Sequence, residues 1–141
     1  ARISEEEMAR TRAERERAER EKAHQAQKAI PVSDIYFEYD SYTVQSGDLA
    51  KIKEMGEWLK ANSGVRIAVE GHCDERGTVE YNLALGQKRA EVVKNHLMKF
   101  GIDEKRIRTI SFGKEMPADP GHSEDAWAKN RRVHFAVDQK G

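Results

Sequence analysis

The sequence has little of several things, and each shortage narrows what the chain can be. One cysteine, Cys73, stands among 141 residues, which excludes an internal disulfide framework and a paired-cysteine zinc site. Lys and Arg (25) balance Asp and Glu (25), and the pI is near 7.2. Without a basic field, non-specific nucleic-acid binding and electrostatic attachment to a membrane surface lose their main support. No apolar run approaches the ~20 residues needed to cross a bilayer. The opening Ala1-Arg2-Ile3-Ser4-Glu5 holds no apolar signal core, although a cleaved segment leaves no trace in what remains. Phosphate loops are missing too: Gly113-Lys114 lacks the upstream glycine of a P-loop, and no Gly-x-Gly-x-x-Gly occurs.

What is present divides into two regions. Charged residues make up 35% of the chain and crowd at its start. From Glu5 to Lys28 there is no Gly or Pro, only strong helix formers and a few Met, Ala, Thr and His positions without an a/d seam. This predicts a solvated charged helix, residues 1–31, used as a tether and ended by Pro31, which disfavours helix in the residue before it. A domain follows over 32–141. Asp34 to Asp40 alternates apolar and polar residues and predicts a first strand. Ser46 is expected to cap a helix to about Asn62 with Leu49, Ile52, Met55 and Leu59 facing the core.

Val65 to Val69 predicts a second strand, and Gly71 to Gly77 a polar loop bracketed by glycines. Thr78 is placed to cap a helix whose Leu83, Gly86, Ala90, Val93, Leu97 and Phe100 recur at spacings of 3 and 4. Gly86 inside that stripe costs about 1 kcal/mol of helix propensity relative to Ala, which points to a close approach of backbones. Arg106 to Phe112 and Arg131 to Val137 predict two more strands, with a short helix capped by Ser123 between them. The expected fold class is α/β: a β-α-β-α-β-β sandwich with two main helices packed on a mixed four-stranded sheet.

The densest chemistry lies in His72-Cys73-Asp74-Glu75-Arg76, after a strand and before a helix. A hydrolase using Cys73 with His72 as base is disfavoured, because neighbours on an extended chain point to opposite sides. A metal site lacks further ligands at suitable spacing, and no cofactor is indicated. Asp74 and Arg89 lie fifteen residues apart, with Asn82 and Arg89 seven apart on one helix face at the border of the predicted core. Two readings fit the pair: a surface ion pair worth ~0–1 kcal/mol, or a split acid and base complementary to an amino-acid zwitterion. Spacing alone favours the ion pair.

Taken together, several motifs resemble one family. Tyr36-Phe37-Glu38-Tyr39-Asp40, Glu70 to Thr78, Asn82 through Leu85-Gly86 to Arg89-Ala90, and Asn130-Arg131-Arg132 are similar, in order and spacing, to the peptidoglycan-binding domain shared with the C-terminal part of outer membrane protein A. Asp74 to Thr78, Ser111 to Glu115 with Pro117, and Gly121-His122 resemble its peptidoglycan-associated lipoprotein branch. The resemblance covers about Val32 to Asp138 and excludes the charged helix. Cys73, Val79 and Lys88 depart from residues frequent in relatives.

The resemblance implies a non-enzymatic domain at the periplasmic face of the outer membrane of a Gram-negative bacterium, tying membrane to wall by holding diaminopimelate of the peptidoglycan stem peptide. It implies a lipid anchor on an N-terminal cysteine outside this chain, and partnership with TolB and the Tol-Pal system rather than nucleic acid. Carried over by position, Asp74 and Arg89 correspond to the groups that take the ammonium and carboxylate. Asp40, Tyr39, Leu85, Asn82, Thr78, Asn130 and Arg131 are the further peptidoglycan-binding candidates. The alternative it leaves is the same fold anchoring another envelope complex, a flagellar stator or an outer-membrane barrel.

Overall fold

The computed structural model describes residues 2–138. A long helix, α1 (Glu5–Ala29), is followed by β1 (Ile35–Tyr36), α2 (Ser46–Ala61), β2 (Ile67–His72), α3 (Val79–Lys99), a 3-10 turn at Glu104–Arg106, β3 (Ile107–Gly113), α4 (Glu124–Asn130) and β4 (Arg132–Val137). The sheet order is β1-β4-β2-β3. β2 pairs parallel with β3 and antiparallel with β4, and β1 pairs antiparallel with β4. The expected mixed four-stranded α/β architecture is therefore the observed one.

Ile67 and Val69 of β2, Val133 and Phe135 of β4, and Ile107 of β3 meet Ile52, Met55 and Leu59 of α2 and Ala90, Val93 and Leu97 of α3 in one core. At ~25 cal/mol per Å2 of apolar surface removed from water, this cluster is the main source of stability. Gly71 and Gly86 bring α3 onto the sheet. A Cβ on Gly71 would lie 1.8 Å from the Gly86 carbonyl oxygen, and one on Gly86 would lie 2.2 Å from Ser111 Oγ. The helix-interior glycine thus has the close approach expected of it.

Four local expectations change. The first strand is two residues long, not seven, because side chains take over its backbone groups. Tyr36 N–H donates to Asp48 Oδ2 at 2.8 Å, Gln45 Nε2 donates to the Tyr36 carbonyl at 3.1 Å, and Arg131 and Arg89 donate to the carbonyls that follow, those of Phe37 and Glu38. Gln45, not Ser46, occupies the N-cap of α2 and makes no side-chain cap bond there. β2 begins two residues late and runs through His72, so Gly71 and His72 belong to a buried strand flanked on both sides, not to a polar loop. Leu49 and Leu83 are exposed, and Asn82 and Arg89 take the inward positions beside Gly86 and Ala90.

Ser4 caps α1 by accepting from Glu7 N–H at 3.1 Å, and none of the helix's residues is buried. Its last turn nevertheless meets the domain. Gln27 Nε2 donates to the Phe135 carbonyl at 3.0 Å, and Val137 N–H donates to Gln27 Oε1 at 2.7 Å. The side-chain amide thus satisfies the stretch of β4 that two-residue β1 is too short to cover. Ile30 and Val32 then pack on the core. No helix among the described residues is long and apolar enough to cross a membrane.

Candidate functional site

The site forms where β2 ends. Beyond His72 the parallel ladder continues for one bond, Cys73 N–H to the Gly113 carbonyl at 2.8 Å, and then the chain turns. Asp74 Oδ1 accepts from Arg76 N–H two residues on, at 3.0 Å, the turn that Asp forms with its own backbone. Gly77, at φ +97°, completes the reversal. Thr78 caps α3 by accepting from Tyr81 N–H at 3.1 Å. Asn82 reaches back from the first turn of α3 to the carbonyls of Arg76 (2.8 Å) and Thr78 (3.0 Å), and Lys114 donates to that of Gly77 at 2.6 Å. The loop carrying Asp74 is tied at each step.

Arg89 comes up from α3 beneath this loop and is 0% exposed. Its guanidinium donates to the carbonyls of Ser41 (2.8 Å), His72 (2.9 Å) and Glu38 (3.2 Å), and burial lowers its pKa from the ordinary value. Among the described residues it has no carboxylate partner within ion-pair distance. Asp74 pairs instead with Arg76 at 2.7 Å and Arg131 at 3.3 Å. The surface ion pair that spacing alone favoured is thus absent, and neither residue is at the surface. Burial pushes the Asp74 carboxyl up, but Arg76 and Arg131 outweigh it and hold the carboxyl below the ordinary range.

Asp74 and Arg89 both line a cavity of about 50 Å3, against the ~10–15 Å3 that one water needs on the same measure. Of the expected residues, Tyr39, Asp40, Asp74, Asn82, Leu85 and Arg89 line it. Asp40 holds φ +53° without being glycine, a strained backbone of the kind that clusters at functional sites. Its carboxylate accepts from the Tyr81 hydroxyl. Thr78, Asn130 and Arg131 stand outside. Thr78 is the helix cap, and Asn130 exchanges two hydrogen bonds with the backbone of Asp119, at 2.8 and 2.9 Å. Arg131 braces the site from behind, binding Asp74, the Phe37 carbonyl at 2.9 Å and Glu124 at 2.8 Å.

Sequence reasoning missed Arg76, Gly77 and Tyr81 as lining residues. A signal existed for two of them: Arg76 sits two residues after a turn-forming Asp, and Tyr81 falls in the first turn after a Thr cap. Cys73 also lines the cavity. Its thiol donates to the Asn82 carbonyl at 3.2 Å, and burial raises its pKa to about 11, opposite to what an activated nucleophile needs. His72 is buried and stacked on Phe112, with Nε2 3.3 Å from Glu70.

A sequence model of the OmpA family matches residues 36–131. The peptidoglycan-associated lipoprotein of Legionella pneumophila is 44% identical over 106 residues, which is 74% of this chain and 60% of that relative. The chain thus spans about three fifths of the length of such curated relatives. The crystal structure of the peptidoglycan-associated lipoprotein from Burkholderia pseudomallei superposes with a TM-score of 0.74 at 42% identity, covering 76% of this chain and 91% of that one. The C-terminal domain of Helicobacter pylori MotB superposes at 0.71 but is 22% identical, covering 76% of this chain and 84% of that one, a likeness of fold alone.

Proposed function

The chain belongs to the OmpA family, and from that premise we propose that it binds peptidoglycan without covalent chemistry, holding the free end of diaminopimelate in the stem peptide. The observation that carries this reading is an acid and a guanidinium, Asp74 and Arg89, both buried, both at one small cavity, and not paired with each other. The far carbon of diaminopimelate bears an ammonium and a carboxylate, and such a head matches the two. Asp74 receives the ammonium, Arg89 the carboxylate. Tyr39, Asp40, Asn82 and Leu85 shape the walls, while Arg131, Asn130 and Thr78 act one step back by fixing Asp74, the loop near Asp119 and the start of α3.

Through this grip the domain ties the outer membrane to the wall from its periplasmic side; relatives named for association with peptidoglycan and for a lipid support this reading. TolB and the Tol-Pal system are the partners that go with this placement, and the anchor is a lipid outside the present chain. Nothing at the site calls for catalysis: the thiol is protonated at neutral pH, and the arrangement holds charge rather than moving it.

Co-sedimentation with purified sacculi tests the reading. Diaminopimelate-type sacculi are expected to bring the protein down, and lysine-type sacculi, which lack the carboxylate for Arg89, are expected not to. Equal binding to both removes the pocket assignment, and release of soluble fragments from either would restore an enzymatic reading.

A further inference from the structure

The Asp74 carboxylate is already full. A carboxylate offers about four lone-pair positions, and four donors fill them here. Arg76 N–H (3.0 Å) and Arg76 Nε (3.3 Å) reach Oδ1. Arg76 Nη2 (2.7 Å) and Arg131 Nη1 (3.3 Å) reach Oδ2. An ammonium arriving at Asp74 finds no acceptor until one donor leaves.

Three of these four contacts come from Arg76, and two of those from its guanidinium. That group is held in a cage. Its central carbon lies 3.9 Å from the centre of the Tyr39 ring and 4.1 Å from that of Trp127. The indole is itself fixed by donating from Nε1 to Glu75 Oε2 at 2.6 Å. The other donors are fixed: the Arg131 side chain is buried and tied to the Phe37 carbonyl, and the Arg76 N–H belongs to the turn. The Arg76 side chain is 31% exposed, sits on a flexible stem and has a second carboxylate, Glu124, 4.0 Å away.

We propose that Arg76 is a built-in competitor: its guanidinium occupies the ammonium position on Asp74, and ligand entry displaces it toward Glu124. This rests on the peptidoglycan reading and adds to it a regulated step. The empty site never leaves a buried acid unpartnered, and each binding event gives up the fork on Asp74 and part of the stacking between Tyr39 and Trp127. Affinity is lowered by that amount, which favours a link that forms and releases over one that locks.

Calorimetric titration with the tripeptide L-Ala-γ-D-Glu-meso-diaminopimelate tests it on the whole chain. Arg76→Gln is expected to bind about 3- to 10-fold more tightly than wild type, since a cation–π contact and a partly exposed ion pair no longer oppose entry. Arg76→Lys, which keeps the charge but loses the fork, is expected between the two. In a Trp58→Phe background, where Trp127 is the remaining tryptophan, the tripeptide is expected to shift indole emission when Arg76 is present and not in Arg76→Gln. Unchanged or weaker binding by Arg76→Gln, with wild-type binding intact and lost in Asp74→Asn, overturns the competitor and leaves the peptidoglycan reading standing. No binding of the tripeptide by wild type or either Arg76 variant overturns both.

Discussion

Helix α1 and the end of β2 are built from the same charged residue types and use them in opposite ways. More than half of the 25 residues of α1 are charged and none is buried. At the end of β2, Asp74, Arg89 and Arg131 are at most 4% exposed, and each is met by charge or by carbonyls. In α1 the charges keep a helix in water and individually decide little. At β2 each charged group holds backbone or another charged group in place, so removing one leaves unsatisfied polar atoms inside the fold.

The sharpest way to break this contrast is at the contact that brings the charged groups together. Gly71→Ala drives a Cβ into the Gly86 carbonyl and is expected to cost more than about 3 kcal/mol or to prevent folding, measured by urea unfolding. Paired changes of Glu and Arg in the middle of α1 are expected to move the midpoint by less than the error. Next in size is Arg89→Met, which orphans the carbonyls of Glu38, Ser41 and His72. About 2–3 kcal/mol of stability is expected to go with it, along with sacculus binding. A stable Arg89→Met protein would show that water replaces the guanidinium and that the group is not structural.

A smaller effect tests where the two regions meet. Gln27→Ala removes the amide that pairs with β4 and is expected to cost about 1 kcal/mol, whereas truncation to residue 26 is expected to leave stability and binding unchanged. The smallest effect is at the exposed face of the sheet. His134 Nδ1 lies 2.7 Å from Asp34 Oδ1. That hydrogen bond raises the His134 pKa above its usual 6.5 against the effect of burial, with Glu70 adding to it and Arg132 opposing. The folded state therefore favours the protonated ring. Its contribution is complete below about pH 6.5 and disappears as pH rises through the raised value. The melting temperature is expected to fall by about 1–2 °C between roughly pH 6 and 8.5, and His134→Gln is expected to flatten that slope.

Much of the fold could be read from the sequence because its signals are local. The stripe of Ala90, Val93 and Leu97, the Thr78 and Ser123 caps and the anomalous Gly86 each carry their meaning within a few residues. What could not be read depends on partners far along the chain. The first strand fails to extend because Gln45, Asp48, Arg89 and Arg131 claim its backbone, contacts spanning up to 94 residues. The inward turn of Asn82 and Arg89 was hidden for the same reason: a polar residue on an apolar stripe looks like a border until the carbonyls that receive it are known. Spacing could bring Asp74 and Arg89 to one site, but not show that Arg76 and Arg131 already hold the acid.

The Gln27 clasp sits at the C-terminal end of β4, beside the start of β2, and the cavity opens at the opposite ends of both strands, about 20 Å away at ~3.3 Å per residue. If the cavity holds the wall as proposed, a pull between the wall and α1 runs along the strands. The ladder bonds between β2 and β4 lie across that line and share the load in shear, instead of parting one at a time as in a peeled hairpin. On that reading the two Gln27 hydrogen bonds are the first contacts such a force meets, and they part before any strand at the binding end is disturbed.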